Sequence, residues 1–400
     1  MIKINPGWKV VLAGTGINLA LGILYAWSIF KTAIEKELGW DPARLNDPYA
    51  ICCLVFSFSM ILAGRCQDRL GPRWTATLGG VLVAAGLAMA SRSSSYAIWV
   101  LGFGVLAGIG IGFGYSSATP PALKWFPASM TGKVAGWVVA GFGLAPLYIA
   151  PLTESLLKAG GLSMTTAFYA AFFFVVVCTL ATFLKNPPTP APRGPSKTAT
   201  QGNSLTPTAM LKTGEFYLLW VIYFIGAGAG LMVISSMNGM AKKSMGEYAF
   251  LAVIVLAIGN AGGRVVAGTV SDRIGRKATL LMVTLFQAVC MLLSIPVTQY
   301  GQLAVAIVLL ATMIGFNYGA NLCLFPAFIK DHYGLANFGV NYGILFTSWG
   351  IGGFVLSRVQ QMLKASSGDF RSSFAVAAAL LVGGAVLTLF LKDSKKAGLA

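Results

Sequence analysis

Acidic residues are scarce in this chain. Of 400 residues only 12 are Asp or Glu and one is His, and charged residues of both signs make up 10%. A soluble domain averages about 25% charged, so the composition excludes an ordinary water-soluble globular protein. The single histidine, His332, excludes a histidine-built metal centre or a His-activated nucleophile. Six cysteines (Cys52, Cys53, Cys66, Cys178, Cys290, Cys323) show no metal-ligand spacing and read as small packing residues. No metal, no cofactor and no enzymatic activity is expected. Met1–Trp8 leads into the first apolar run without a small-residue cleavage site, so no removable signal is expected. The glycines at 102–114 follow no strand and precede no Gly-Lys-Ser/Thr, which excludes a phosphate loop and leaves close helix packing.

Apolar length is abundant. Hydrophobic residues make up 56% of the chain, and stretches of about 20 such residues each cross a bilayer as a helix. The pattern predicts twelve, at 9–31, 48–64, 74–91, 96–120, 132–157, 164–185, 215–238, 248–271, 277–297, 302–329, 338–361 and 370–391. The expected fold is an all-α membrane protein. The net charge of +17 follows from topology rather than from nucleic-acid binding, because Lys and Arg collect in cytoplasmic loops. With both termini on one side, eighteen Lys and Arg residues fall on that side and nine on the other, while Arg264 and Arg358 lie within spans. Both ends are therefore expected in the cytoplasm.

The chain repeats itself. Gly64-Arg65-Cys66-Gln67-Asp68-Arg69-Leu70-Gly71-Pro72-Arg73 nearly recurs as Gly268-Thr269-Val270-Ser271-Asp272-Arg273-Ile274-Gly275-Arg276-Lys277, 204 residues later. Two pseudo-symmetric bundles of six helices follow, 1–185 and 211–400, joined by a cytoplasmic linker at 186–210 that is rich in Pro, Ser and Thr. In each copy an Asp can cap a helix while Gly turns the chain. Asp68, Arg69, Asp272 and Arg273 read as a gating device.

The most informative stretch is Leu251–Lys277, an apolar helix with Arg264 in its middle and Asn260 one turn earlier. A charge at that depth costs at least ~2.5–3.5 kcal/mol and marks a site with a partner. Arg264 precedes Asp272 by eight residues, about 12 Å along a helix, too far for easy snorkelling. All 12 acids fall in loops or at span ends, so no residue within a span can neutralise it. A guanidinium without a counter-ion offers its donor fork to a carboxylate. Tyr115 is a candidate cavity residue. Tyr25 and Trp27 either line that cavity or anchor an interface. Asn317 and Asn321 share a helix face and either bond a hydroxyl or bond each other. Leu24, Tyr25, Phe142, Phe316 and Phe346 are candidate apolar walls, and Arg358 reads as an interfacial cation.

Twelve spans, a central loop and the repeated Asp-Arg-x-Gly motif resemble the major facilitator superfamily across essentially the whole chain. More narrowly, Pro6-Gly7-Trp8 with Val10-Val11, Lys124-Trp125-Phe126 followed by Ala135-Gly136 and Ala140-Gly141, and Arg264 itself resemble the monocarboxylate transporters. Gly262-Gly263-Arg264 and Asn341-Tyr342-Gly343 are also similar to the bacterial oxalate/formate exchanger. The resemblance implies a bacterial inner-membrane carrier of small monocarboxylates such as L-lactate, working by proton symport as a monomer, with Arg264 binding the carboxylate. The alternative it implies is an organic-anion exchanger. Departures from the families are Asn260 where animal members carry aspartate, Ile29 where they carry lysine, and Trp349 where the exchanger carries lysine. One deep cation matches one carboxylate, since a second would stay buried and unpaired.

Overall fold

The structure is a computed structural model. It describes residues 5–126, 130–187, 204–300, 304–334 and 337–392, without the side chains of Asp68, Thr131, Gly132, Asn238, Lys243, Gln299, Tyr300 and Ala365. Most of the 186–210 linker and the Asp68 carboxylate therefore lie outside the described residues. Those residues contain helices and no strand.

The first half comprises α1 (Gly7–Leu38), α2 (Asp47–Leu70), α3 (Pro72–Ser91), α4 (Tyr96–Lys124), α5 (131–159) and α6 (162–181). The second comprises α7 (Gly214–Ile234), α8 (Phe250–Ile274), α9 (Arg276–Tyr300), α10 (Ala304–Tyr333), α11 (Phe338–Ser367) and α12 (Arg371–Leu389). Among the described residues, ten helical stretches are long and apolar enough to cross a membrane. One of them, Lys133–Ala181, is two rods: Gly160 and Gly161 leave helical geometry, Gly161 with φ +69°, and the chain doubles back. The more polar Phe338–Ser367 is not among the ten, yet it packs as a full-length rod between α2 and α7.

The repeat is visible in both packing and turns. The pairings α1·α5, α2·α4 and α3·α6 recur as α7·α11, α8·α10 and α9·α12. The chain leaves α2 through Gly71 (φ +82°, ψ 167°) and α8 through Gly275 (φ +99°, ψ 155°), a backbone region open essentially only to glycine. Four residues on, the Thr75 and Thr279 hydroxyls donate back to the Gly71 and Gly275 carbonyls at 2.9 and 2.8 Å. Asp272 pairs with a cation of the turn that follows it. Its carboxylate lies 2.7 Å from the Arg276 guanidinium, which also reaches Asp331 on α10 at 3.1 Å and donates to the Ser271 hydroxyl.

Helices α8 and α10 meet almost backbone to backbone. A Cβ on Gly263 would stand 1.9 Å from the Phe316 carbonyl oxygen, and one on Gly319 would stand 1.9 Å from that of Asn260. Small residues let helices approach where solvent exclusion cannot drive them together. This contact holds the helix carrying Arg264 flush against the helix carrying Tyr318. The halves join along α2·α11 and α5·α8. Trp27, for which two placements were open, is fully buried with its ring 4.6 Å from Phe103, inside the first half.

Candidate functional site at the seam of the two halves

Arg264 projects from α8 across the seam and is 0% exposed. Its Nε donates to Asn260 Oδ1 at 3.0 Å. Its Nη1 donates to the Val139 carbonyl on α5, and Nη2 donates to the Tyr25 hydroxyl on α1 at 3.2 Å. Two of its three partners thus belong to the opposite half. None of the carboxylate pairs among the described residues involves Arg264.

The Tyr25 and Tyr318 hydroxyls are 2.8 Å apart, and Trp349 Nε1 donates to the Tyr318 oxygen at 2.8 Å. Counting protons gives an imbalance. A guanidinium has five N–H donors, and three bonds are formed. Asn260 Nδ2 has no partner among the described residues. Two phenolic protons share one contact, so one of them has no acceptor among the described residues. The site is rich in donors and poor in acceptors, the complement of a carboxylate, which only accepts.

Rings enclose this network. Phe142 stands edge-on to Tyr25 (5.1 Å) and to Tyr115 (5.4 Å). Phe56 and Phe346 are 5.3 Å apart, and Phe346 stacks on Trp349 at 4.9 Å. On one side lies a vestibule of about 860 Å³, solvent space included, between α4 and α5 of one half and α10 and α11 of the other. Tyr115, Val139 and Tyr342 border it, with Arg276 and Lys330 lining it near the Gly275 turn. Val139 therefore lines the vestibule and also holds Arg264 by its carbonyl.

The structure brings together Arg264, Asn260, Tyr25, Tyr115, Phe142 and Phe346. It leaves others aside. Asn317 donates to the Met313 carbonyl at 3.0 Å, and Asn321 donates to the Asn317 carbonyl at 2.9 Å and to Gln287 at 3.4 Å, so both face α9. Phe316 is half-buried and presses on α8 with its backbone. Leu24 is buried in the tight turn Gly22–Ala26 that presents Tyr25. Arg69 is exposed in the last turn of α2. Arg358, expected as an interfacial cation, is 42% exposed and pairs with Asp47 at 2.7 Å. Sequence reasoning missed Tyr318, Phe56 and the Val139 carbonyl. The spacing Gly315–Gly319 was a signal for Tyr318, because glycines one turn apart fix which face of α10 meets α8.

Comparison with known proteins agrees with this architecture. The chain matches the Major Facilitator Superfamily over residues 11–357. It is 28% identical over 356 residues to the oxalate:formate antiporter of Oxalobacter formigenes, covering 86% of this chain and 81% of that one. It is 27% identical over 355 residues to an uncharacterized MFS-type transporter, YhjX, of Escherichia coli strain K12, covering 86% and 85%. It is 25% identical over 394 residues to monocarboxylate transporter 13 of Rattus norvegicus, covering 96% and 89%. With a match that spans most of its length, the chain belongs to the Major Facilitator Superfamily, as a multi-pass membrane transporter.

Proposed function

We propose that the chain carries small monocarboxylates across a bacterial inner membrane, with Arg264 holding the carboxylate. The observation that carries this reading is the donor imbalance around a buried guanidinium. Substrate oxygens accept from the unengaged N–H groups of Arg264, from Asn260 Nδ2 and from the free phenolic proton. Phe142, Phe56 and Phe346 take the apolar part. Trp349 is neutral and its N–H is engaged by Tyr318, so the described site holds one cation, and the match is to one carboxylate rather than two. All twelve rods cross the bilayer, with both termini in the cytoplasm and the turns at 68–73 and 272–277 on that side. Residues 1–185 and 211–400 move as the two halves, and Asp68, Arg69, Asp272 and Arg273 shape the gate at the vestibule end. The protein works as a monomer.

Net transport as proton symport is favoured over strict exchange. A symporter returns empty, and the empty guanidinium is already engaged across the seam by Val139 and Tyr25. With no acid beside Arg264 among the described residues, the proton travels with the substrate or through water. The exchanger reading draws on the antiporter relative. Reconstituted into liposomes, the protein is expected to take up labelled L-lactate down an inward proton gradient with no internal anion. Uptake that ignores the gradient and requires an internal anion assigns it to the exchangers instead.

A further inference from the structure

At the end of the molecule opposite the Gly71 and Gly275 turns, a salt bridge joins the halves. Asp47 opens α2 and is almost wholly buried, its side chain 5% exposed. Its Oδ1 lies 2.7 Å from Arg358 Nη2, on the outer stretch of α11. Its Oδ2 accepts from the Tyr96 hydroxyl, at the start of α4, at 2.7 Å. The Tyr96 ring in turn carries the Arg44 guanidinium 5.5 Å from its centroid. The first half thus builds a cradle from Asp47, Tyr96 and Arg44, and the second half inserts a single side chain. Lys364, further along α11, lies over the Phe370 ring at 4.6 Å and does not compete.

This position is twenty residues along α11 from Phe338, which borders the vestibule, and so about 30 Å away at the helical rise. One end of the seam is open and the other is pinned. Between them α2 and α11 stay in contact, with Gly350 and Gly353 facing Ser57 and Cys53. We infer that the Asp47–Arg358 pair, braced by Tyr96, is a latch that closes the far end of the transport pathway and must break for that end to open. The physical basis is asymmetric. A buried carboxylate held by a cation is stable, but the same carboxylate without Arg358 is an unpaired buried charge that draws in water. The Asp47 carboxylate therefore has two states, held and buried or released and wet.

Cys53 reports on it. This thiol is buried, lies six residues after Asp47 and faces α11. In the full-length purified protein, site-resolved mass spectrometry after maleimide treatment measures its modification rate. Wild type is expected to label slowly. Asp47→Asn and Arg358→Gln are each expected to raise the rate at least tenfold with an unchanged helical circular dichroism spectrum. The exchange Asp47→Arg/Arg358→Asp is expected to bring the rate back to within threefold of wild type. Single variants that label like wild type overturn the latch. A charge-exchanged protein that labels as fast as the singles also overturns it, because the contact would then be mere packing.

Discussion

Arg264 Nε lies 3.0 Å from Asn260 Oδ1, one turn earlier on α8, in a place that excludes solvent. The amide fixes the guanidinium plane without neutralising it, because an amide oxygen carries no formal charge. An aspartate at 260 would do both. Asn260→Asp is therefore expected to stabilise the protein against heat while weakening monocarboxylate binding at least tenfold, since the anion would find its cation occupied. Calorimetric titration beside a melting curve checks both, and undiminished binding would mean that the charge of Arg264 is not what holds the substrate.

Arg264→Lys keeps the charge and loses the fork. An ammonium cannot reach Asn260, Val139, Tyr25 and a substrate in one plane. Each charged hydrogen bond contributes about 1.5–3 kcal/mol, so half-saturation for uptake is expected to rise roughly tenfold to a hundredfold. Equal half-saturation in both proteins would show that only the charge matters.

Tyr318→Phe leaves the Trp349 N–H without its acceptor and removes the bridge to Tyr25. An orphaned buried donor costs about 1–3 kcal/mol. The melting temperature is expected to fall, and uptake to fall with it. Trp349→Phe with Tyr318→Phe is expected to regain part of the lost stability, because no donor is then stranded.

The α8–α10 contact supplies its own control. A Cβ on Gly263 would meet the Phe316 carbonyl at 1.9 Å, whereas one on Gly262 meets nothing within 4 Å. Gly263→Ala is expected to destabilise by about 1–3 kcal/mol, the usual cost of overpacking, and Gly262→Ala to be neutral. Thermal melts of the two purified variants decide it.

Much of this was legible in the sequence, and the reason is physical. Long apolar runs force helices, and the recurrence of Asp-Arg-x-Gly set the two turns at Gly71 and Gly275. Arg264 stood out because a charge inside an apolar helix is costly wherever it points. Its neighbours were harder to read. Whether α10 shows Asn317 or Tyr318 to the seam depends on which face carries the glycines that meet α8. The Val139 carbonyl has no side-chain signature at all. The partner of Arg358 was hidden because Asp47 is more than 300 residues away in the chain, a separation that no local pattern spans. Phe316 showed the right chemistry in the wrong register.

The central claim is that the unengaged donors around Arg264 await one carboxylate. Its most direct test is equilibrium binding of C2 to C6 mono- and dicarboxylates to the purified wild type and to Arg264→Ala. A monocarboxylate such as L-lactate is expected to bind the wild type with saturation, dicarboxylates at least tenfold more weakly, and Arg264→Ala to bind neither while keeping its helical spectrum. Binding that survives in Arg264→Ala, or a preference for dicarboxylates, contradicts the account.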